Sequence, residues 1–326
     1  MNAETNIPSL EAIRKTAAKI TPYIIRTPTV PCYGPVLSES FGSDSTVFLK
    51  LELFQRSGSF KARGALNNVL GLSKEKLANG ITAFSAGNHA IATAFAAKVV
   101  GTSAKVAMPS FANPYRVERC RALGAEIVFA ENMMELFEIG ERLQKDEGRT
   151  LVHPFESPKT FEGTATVGLE ICEDVENLDA VIVPIGGGGL ISGIASAVKR
   201  LQPDCMVFGV EPKGAQGMST SLSKGAPIPK VELSSIADSL SAPLHLPLSY
   251  SIIQELVDEV VTVEDSEIIN AMRLMFSDLK LAVEPAGASA IAALLGPLRE
   301  TLAGKRVALV ICGTNIDMAT HAKLLA

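Results

Sequence analysis

The residue of this chain best suited to covalent chemistry is Lys61, which lies in the run SGSFKARGA at residues 57–65. Small residues and Phe60 flank it, so it is poorly placed to act as a solubilising surface charge. A lysine in such surroundings can lose its proton well below the free pKa of about 10.4, and a neutral amine can form a Schiff base with a carbonyl compound. The segment alone is equally compatible with an ordinary lysine that opens a helix.

Four successive glycines form a second candidate site. They are Gly186, Gly187, Gly188 and Gly189, and Leu190 follows them. The run lies between a segment typical of a strand and one with helical spacing, so its backbone N–H groups are at a helix N-terminus, where an anion is favoured. It matches neither GxGxxG nor a P-loop, which favours one terminal phosphate over a dinucleotide. The alternative is a flexible turn. Ordering four glycines costs much conformational entropy, however, and a simple turn gives no reason for that cost.

A third candidate is the run Ser85, Ala86, Gly87, Asn88 and His89, which also lies between a predicted strand and a predicted helix. Its polar side chains and free backbone amides could hold a carboxylate. An equally good interpretation is that Asn88 only caps the helix.

The remaining reactive side chains argue against two common classes of enzyme. Cys312 ends another apolar run without an adjoining histidine or acid, so we interpret it as a small buried residue rather than the nucleophile of a Cys-His hydrolase. His153, His245 and His321 are isolated in the sequence, and we interpret them as structural. Neither an HExxH motif nor clustered carboxylates indicate a catalytic metal.

Short β-branched runs alternate with longer amphipathic ones, which is typical of an α/β protein. Predicted strands cover residues 47–51, 82–85, 104–108, 126–129, 180–184, 206–210, 259–263 and 306–311. Most are apolar throughout, as expected for parallel strands covered on both faces. Predicted helices cover residues 9–20, 90–100, 114–123, 134–146, 161–172, 190–201 and 266–279. Two βα runs, 77–155 and from 181 onward, predict two sheets, and the proline-rich stretch 223–247 predicts a long ordered surface connection.

Composition limits the partners and the location of the protein. The 326 residues are 47% hydrophobic and 20% charged with a net charge of -5, and no basic cluster interleaves with aromatics, so nucleic acid is not expected as a partner. The five cysteines form no CxxC pair, which argues against disulfides and structural zinc and favours the cytoplasm. The N-terminus lacks a signal peptide pattern, and no run of about 18 apolar residues predicts a membrane span. We expect a small-molecule partner.

Six motifs, in this order, resemble those of the fold-type II pyridoxal-phosphate enzymes. They are SGSFKARGA, SAGNHA, PIGGGGL, SIADS, VEPAGA and CGTN, and the resemblance as a whole spans about residue 20 to residue 317. The chain is most similar to the threonine/serine dehydratases and serine racemase. The resemblance implies an α/β fold related to the β subunit of tryptophan synthase, with two parallel-rich twisted sheets flanked by helices. It also implies a large cofactor-binding domain (1–74 and 156–326), a small mobile domain (75–155) and a homodimer.

The resemblance also implies roles for individual residues. Lys61 would form the Schiff base with pyridoxal 5'-phosphate, and Phe60 would lie beside the cofactor ring. Asn88 would form a hydrogen bond with the ring hydroxyl, Cys312 would face the pyridine nitrogen, and Glu284 would line the pocket. The phosphate would be held by Gly186, Gly187, Gly188, Gly189 and Leu190. The loop of Ser85, Ala86, Gly87, Asn88 and His89 would bind the substrate carboxylate. A cysteine cannot keep the pyridine nitrogen protonated as a carboxylate would, which favours elimination over a long-lived carbanion.

Three departures from the family pattern refine the prediction. Ala86 replaces the second serine of serine racemase, so racemisation is disfavoured. The family's cation position corresponds to Glu211, Ala215 and Gly217, and the glycine offers no side-chain ligand, which puts a divalent ion in doubt and leaves a monovalent one possible. Residues 162–166 and Ser239 also differ from the family near the expected pocket, so the substrate could differ from threonine.

The resulting hypothesis is a dehydratase (ammonia-lyase) that converts L-threonine, L-serine or a related 3-hydroxy amino acid to a 2-oxo acid and ammonia. Because the chain ends one helix after Cys312, we expect no regulatory domain and an unregulated or catabolic enzyme. Alternatives are a lyase for hydroxyaspartate, phenylserine or a hydroxyectoine-derived compound, or a serine racemase. Two further alternatives are a non-catalytic ligand-binding regulator on the same scaffold and an oxidoreductase that binds a dinucleotide at the glycines.

Overall fold

Two β-sheets organise the computed structural model, which describes residues 7–42 and 44–326. The strands in the described residues are β1 (Thr29–Pro31), β2 (Thr46–Lys50), β3 (Ile81–Phe84), β4 (Ala104–Pro109), β5 (Glu126–Ala130), β6 (Thr150–Leu151), β7 (Ala180–Pro184), β8 (Met206–Pro212), β9 (Glu259–Val263) and β10 (Arg306–Val310). One sheet has the order β1-β2-β10-β7-β8-β9 and the other β5-β4-β3-β6. Every pair is parallel except β1 with β2.

Helices cover both sheets. Those in the described residues are α1 (Leu10–Ile20), α2 (Pro35–Phe41), α3 (Lys61–Val69), α4 (Lys74–Asn79), α5 (Asn88–Val100), α6 (Pro114–Ala122), α7 (Met133–Lys145), α8 (Pro158–Asp174), α9 (Gly189–Leu201), α10 (Gly217–Lys224), α11 (Pro247–Leu256), α12 (Asp265–Leu279), α13 (Pro285–Leu295) and α14 (Met318–Leu325). None of these helices is both long and apolar enough to cross a lipid bilayer.

The predicted architecture of two parallel-rich sheets flanked by helices is confirmed. Strand β7 shows why the prediction works, because all five of its residues are buried and it pairs with a strand on each side. All eight predicted strands are present, with ends that differ by no more than two residues. The prediction missed β1 and β6, which have only three and two residues and therefore carry little pattern.

Close contacts between backbones bring α3, α8 and α9 together. A Cβ atom at Gly163 of α8 would lie 2.7 Å from the carbonyl oxygen of Arg63 in α3. One at Gly193 of α9 would lie 2.5 Å from the backbone nitrogen of Ala165 in α8. Real Cβ atoms do not approach so closely, so only glycine permits this spacing of the three helices.

A buried ion-pair cluster, formed by Lys50, Glu52, Arg63 and Glu170, connects α3 to α8 and to the end of β2. The Arg63 side chain is fully buried and donates to Glu52 at 2.7 and 2.9 Å and to Glu170 at 2.7 and 2.8 Å. Lys50 Nζ lies 2.7 Å from Glu170. Burial favours the neutral form of Arg63, but the two carboxylates outweigh it and raise the Arg63 pKa. The cluster therefore fixes the helix whose first residue is Lys61.

Candidate active site

Lys61 occupies the N-terminus of α3 and is partly buried. Its Nζ donates to the carbonyl oxygen of Pro154 at 2.6 Å and lies 5.1 Å from the centroid of the Phe60 ring. Burial lowers the pKa of Lys61 to about 8, although the nearby Cys312 thiol acts in the opposite direction. Near neutral pH the neutral, nucleophilic amine is therefore far more populated than in a free lysine.

The four glycines form the turn from β7 into α9. Gly188 has a φ of 95°, a conformation that favours glycine. A Cβ atom at Gly187 would overlap the ring of Phe155, and one at Gly189 would lie 2.8 Å from the Cα of Phe155. The turn thus needs glycine for two reasons, and it presents backbone N–H groups at the start of α9, where a phosphate is favoured.

Lys61 and the glycine turn border one cavity, with an empty volume of about 410 Å³. It is lined by Phe60, Lys61, Asn88, Phe155, Pro184, Gly186, Gly187, Gly188, Gly189, Leu190, Ser239, Leu240, Glu284, Ala286 and Cys312. Every residue that the resemblance assigned to the cofactor therefore lies at this cavity. An amine, an anion-binding turn and polar groups around one space fit pyridoxal phosphate.

The predicted substrate loop divides between two cavities. Asn88 lines the cavity beside the glycine turn, whereas His89 lines a smaller adjoining one with Lys61, His153 and Thr160. The alternative that Asn88 only caps a helix is wrong, because Gly87 occupies the N-cap of α5 without a side-chain bond. The roles of Ser85, Ala86 and Gly87 in binding substrate stay predictions.

A hydrogen-bond network fixes the amide of Asn88. Its Nδ2 donates to Glu284 at 2.5 Å and its Oδ1 accepts from Asn315 at 2.6 Å, so the two ends of the amide are distinguished. The second oxygen of Glu284 has no hydrogen-bond partner among the described residues and lies 3.7 Å from Arg116. Burial raises the pKa of Glu284 to about 7, against the effect of Arg116. This carboxyl group can therefore change protonation near neutral pH.

Arg116 is a site residue that the sequence analysis missed. It lies on α6, beside the second sheet, and donates to Asp238 at 2.5 Å and to the carbonyl oxygen of Asn315 at 2.9 Å. These contacts tie α6 to the polypeptide around Ser239, which lines the cavity. More than 100 residues separate the partners in sequence, so local patterns contain no signal for the pairing.

Cys312 lies at the cavity as predicted by the resemblance, and it is buried. Burial raises the pKa of its thiol well above the ordinary value. The group is therefore a neutral thiol at working pH, a weak hydrogen-bond partner rather than a nucleophile.

The predicted cation position is already satisfied by protein groups. The carboxylate of Glu211 accepts the backbone N–H groups of Met218 and Ser219 at 2.7 and 2.8 Å, at the start of α10. The ring of His245 fills the space beside Gly217, where a Cβ atom would overlap its Nε2. Ala215 offers only its backbone carbonyl, and the described residues contain no group of three metal-binding side chains. The residues present do not fit a divalent ion.

We therefore expect chelation to leave the protein unchanged. An ion bound at 100 times its dissociation constant would stabilise the folded state by about 2.7 kcal/mol, and EDTA would remove that contribution. Thermal melts in EDTA, in magnesium and in calcium should therefore coincide. A melting temperature that falls in EDTA and recovers with one ion would contradict this expectation.

The model of the family described as "Pyridoxal-phosphate dependent enzyme" matches residues 20–313 of the chain. Among curated proteins, a phenylserine dehydratase of Ralstonia pickettii is 48% identical over 323 residues, which cover 98% of this chain and 97% of that protein. An L-threonine ammonia-lyase of Thermotoga maritima is 37% identical, and the match covers 95% of this chain and 76% of that protein.

A solved structure of maize serine racemase resembles this one with a TM-score of 0.91 and 35% sequence identity. The match covers 97% of this chain and 96% of that one. Both the sequence and the fold therefore agree with known proteins over nearly the whole length.

Proposed function

Because the chain belongs to the family of pyridoxal-phosphate-dependent enzymes, we propose that it is a dehydratase (ammonia-lyase) that converts a 3-hydroxy amino acid to a 2-oxo acid and ammonia. The observation that carries the proposal is that the Lys61 amine, the glycine turn and Cys312 border one cavity. The dehydratase and ammonia-lyase activities named for the relatives support it. A non-catalytic regulator and a dinucleotide-dependent oxidoreductase are disfavoured by the same relatives.

The residues of the cavity divide the work of the elimination. When bound, the cofactor supplies the carbonyl carbon that bonds the substrate amine and a conjugated ring that withdraws electrons from the α-carbon. Lys61 then takes the α-proton onto Nζ, for which its pKa of about 8 is suited. The β-hydroxyl takes up one proton, which balances the one that Lys61 removes, and leaves as water. The resulting enamine tautomerises to an imine, whose reaction with water gives the 2-oxo acid and ammonia.

The neutral Cys312 thiol favours elimination over racemisation. It bears no negative charge with which to keep a nearby ring nitrogen protonated, so negative charge at the α-carbon is less well stabilised. Early departure of the hydroxyl relieves that charge. Ala86 also lacks a hydroxyl that could return a proton to the opposite face of the substrate.

Charge at the cavity narrows the choice of substrate. Lys61 is the only cation among the described residues that line it, and Arg116 is already paired with Asp238. A second substrate carboxylate would therefore lack a partner, which disfavours hydroxyaspartate. Apolar side chains, among them Phe60, Phe155 and Leu240, line the remaining wall. Together with the similarity to phenylserine dehydratase, this supports an uncharged β-substituent: 3-phenylserine, L-threonine or L-serine.

Oxo-acid release from a panel of 3-hydroxy amino acids tests the proposal. We expect phenylpyruvate from 3-phenylserine and 2-oxobutyrate from L-threonine, with less product from L-serine and least from hydroxyaspartate. Each L compound should be assayed beside its D enantiomer. The dehydratase proposal fails if no member releases an oxo acid although the cofactor is bound, and racemisation without oxo acid would favour a racemase instead.

We also propose that residues 75–155 form a small mobile domain against a large one of 1–74 and 156–326. The strands of the second sheet all lie within the first of these ranges. A homodimeric assembly and a cytoplasmic location stay predictions.

A further inference from the structure

The segment 152–156 connects β6 to α8, and its residues contact four different parts of the site. The carbonyl oxygen of Val152 lies 2.7 Å from His89 Nε2, and the carbonyl oxygen of Pro154 accepts a hydrogen bond from Lys61. The Phe155 side chain packs on the glycine turn. The carboxylate of Glu156 accepts the backbone N–H groups of Leu248 and Ser249 at 2.5 and 3.1 Å. The segment is therefore a structural junction of the site.

His153 determines the shape of this junction. Its Nδ1 accepts the backbone N–H of Phe155 at 3.3 Å and that of Glu156 at 2.9 Å. Both bonds point from the backbone to the ring, so Nδ1 carries no proton and the ring proton resides on Nε2. The two bonds enclose Pro154. The Pro154 carbonyl consequently points away from Nδ1 of His153, and it reaches the Lys61 amine.

We propose that His153 is a positioning residue that aims the Pro154 carbonyl at Nζ of Lys61, and that this carbonyl holds the amine whenever it is not bonded to the cofactor. The inference rests on the proposed function and deepens it, because it assigns the place of the amine that acts as the base.

Among the described residues, the hydrogen-bond acceptor of the Lys61 amine is the Pro154 carbonyl, and the other ionisable groups near Lys61 do not replace it. Burial and the charge of Lys61 lower the pKa of His89 to about 3 and that of His153 to about 4, so both rings are neutral at working pH. Cys312 is a neutral thiol, and Glu284, at the same cavity, bonds Asn88.

The contact has a consequence for the protonation of Lys61. An ammonium donates to a carbonyl more strongly than a neutral amine does, so the Pro154 carbonyl stabilises the charged form against the effect of burial. Without a correctly placed carbonyl, the pKa of Lys61 falls further. The amine also loses its fixed position, which slows a step that depends on orientation.

The variants His153→Asn and His153→Leu form a matched pair that tests the proposal. Asparagine places an oxygen acceptor at the same number of bonds from the backbone as Nδ1, whereas leucine retains a similar volume without an acceptor. In the full-length chain freed of cofactor, the pH midpoint for acylation of Lys61, followed by peptide mass spectrometry, should fall by about one unit in His153→Leu. The midpoint should stay at the wild-type value in His153→Asn.

Kinetics of the cofactor-loaded enzyme give a second measure. His153→Leu should lower kcat by roughly 10-fold or more at nearly constant KM, and His153→Asn should restore most of it. A merely structural role of His153 would lower the melting temperature without moving the Lys61 midpoint, and that result would overturn the proposal.

A measurement on the wild-type protein keeps the proposal testable if His153→Leu does not fold. Nitrogen NMR of ¹⁵N-labelled histidine should show His153 Nδ1 unprotonated between pH 6 and 9. A proton on Nδ1 in that range would overturn the proposal. Because neither this spectrum nor the acylation midpoint depends on turnover, failure of the inference is distinguishable from failure of the dehydratase proposal.

Discussion

Replacement of Lys61 by alanine is expected to abolish the absorbance band that arises from the bond between Lys61 and the cofactor, and to lower oxo-acid formation by at least about 10³-fold. The side chain provides both the amine that bonds the cofactor and the base that takes the α-proton. Proton transfer by a positioned group contributes on the order of 10²–10⁴ in rate, and loss of the covalent bond adds to that effect. Absorbance spectra and product formation at saturating cofactor measure the two losses separately.

Two control variants accompany the Lys61→Ala change. Lys61→Arg retains a positive charge but cannot form the bond to the cofactor, so it should be as inactive as the alanine variant. Lys76→Ala removes a lysine from the exposed surface of α4 and should leave spectrum and rate unchanged. Retention of absorbance and turnover in Lys61→Ala would show that another group is the base.

The variant Arg63→Met is expected to destabilise the folded state by about 3–5 kcal/mol, because it removes the central cation of the buried ion-pair cluster. Glu52, which is fully buried, would lose its bidentate partner and keep, among the described residues, only the hydrogen bond from the Thr27 hydroxyl. Burial raises the pKa of Glu52, but Arg63, Lys50 and Thr27 together outweigh it, so loss of the Arg63 cation leaves a carboxylate that burial drives toward the protonated form. Urea unfolding at neutral pH measures the loss.

Arg26→Met is the matched control for Arg63→Met. Arg26 also pairs with two carboxylates, at 2.5 and 2.7 Å, but about half of its side chain is exposed to water. Exposed ion pairs contribute about 0–1 kcal/mol, so the midpoint of unfolding should hardly move. Equal losses in the two variants would show that burial does not set the cost of breaking the cluster.

The sequence predicted elements whose signal is local. Strand β7 is wholly apolar, and the glycines that follow it predict a turn within the same ten residues. The proline-rich stretch was predicted as a connection to residue 247, and α11 begins at Pro247 because proline is favoured in the first turn of a helix. Helix α13 was missed because its run PAGASAIAALL is almost uniformly apolar and shows no helical period.

The parts of the site that the sequence could not predict depend on distant partners. Arg63 and Glu170 are 107 residues apart, and Arg116 and Asp238 are 122 apart. His153 illustrates the same limit, since the isolated histidine was interpreted as structural and lies in the wall of a cavity shared with Lys61. Its two hydrogen bonds are local, but only the position of Lys61 connects them with the proposed chemistry.

The glycine contacts among α3, α8 and α9 indicate where this enzyme could be redesigned. Gly163 and Gly193 leave no room for even a methyl group, so selection for a new substrate will rarely find tolerated changes at these contacts between helices. Ser239 and Leu240 line the cavity and belong to a connection without long helices or strands. A library that varies this connection and keeps the glycines should therefore yield a larger share of folded variants with altered substrate range than one that varies α8 and α9.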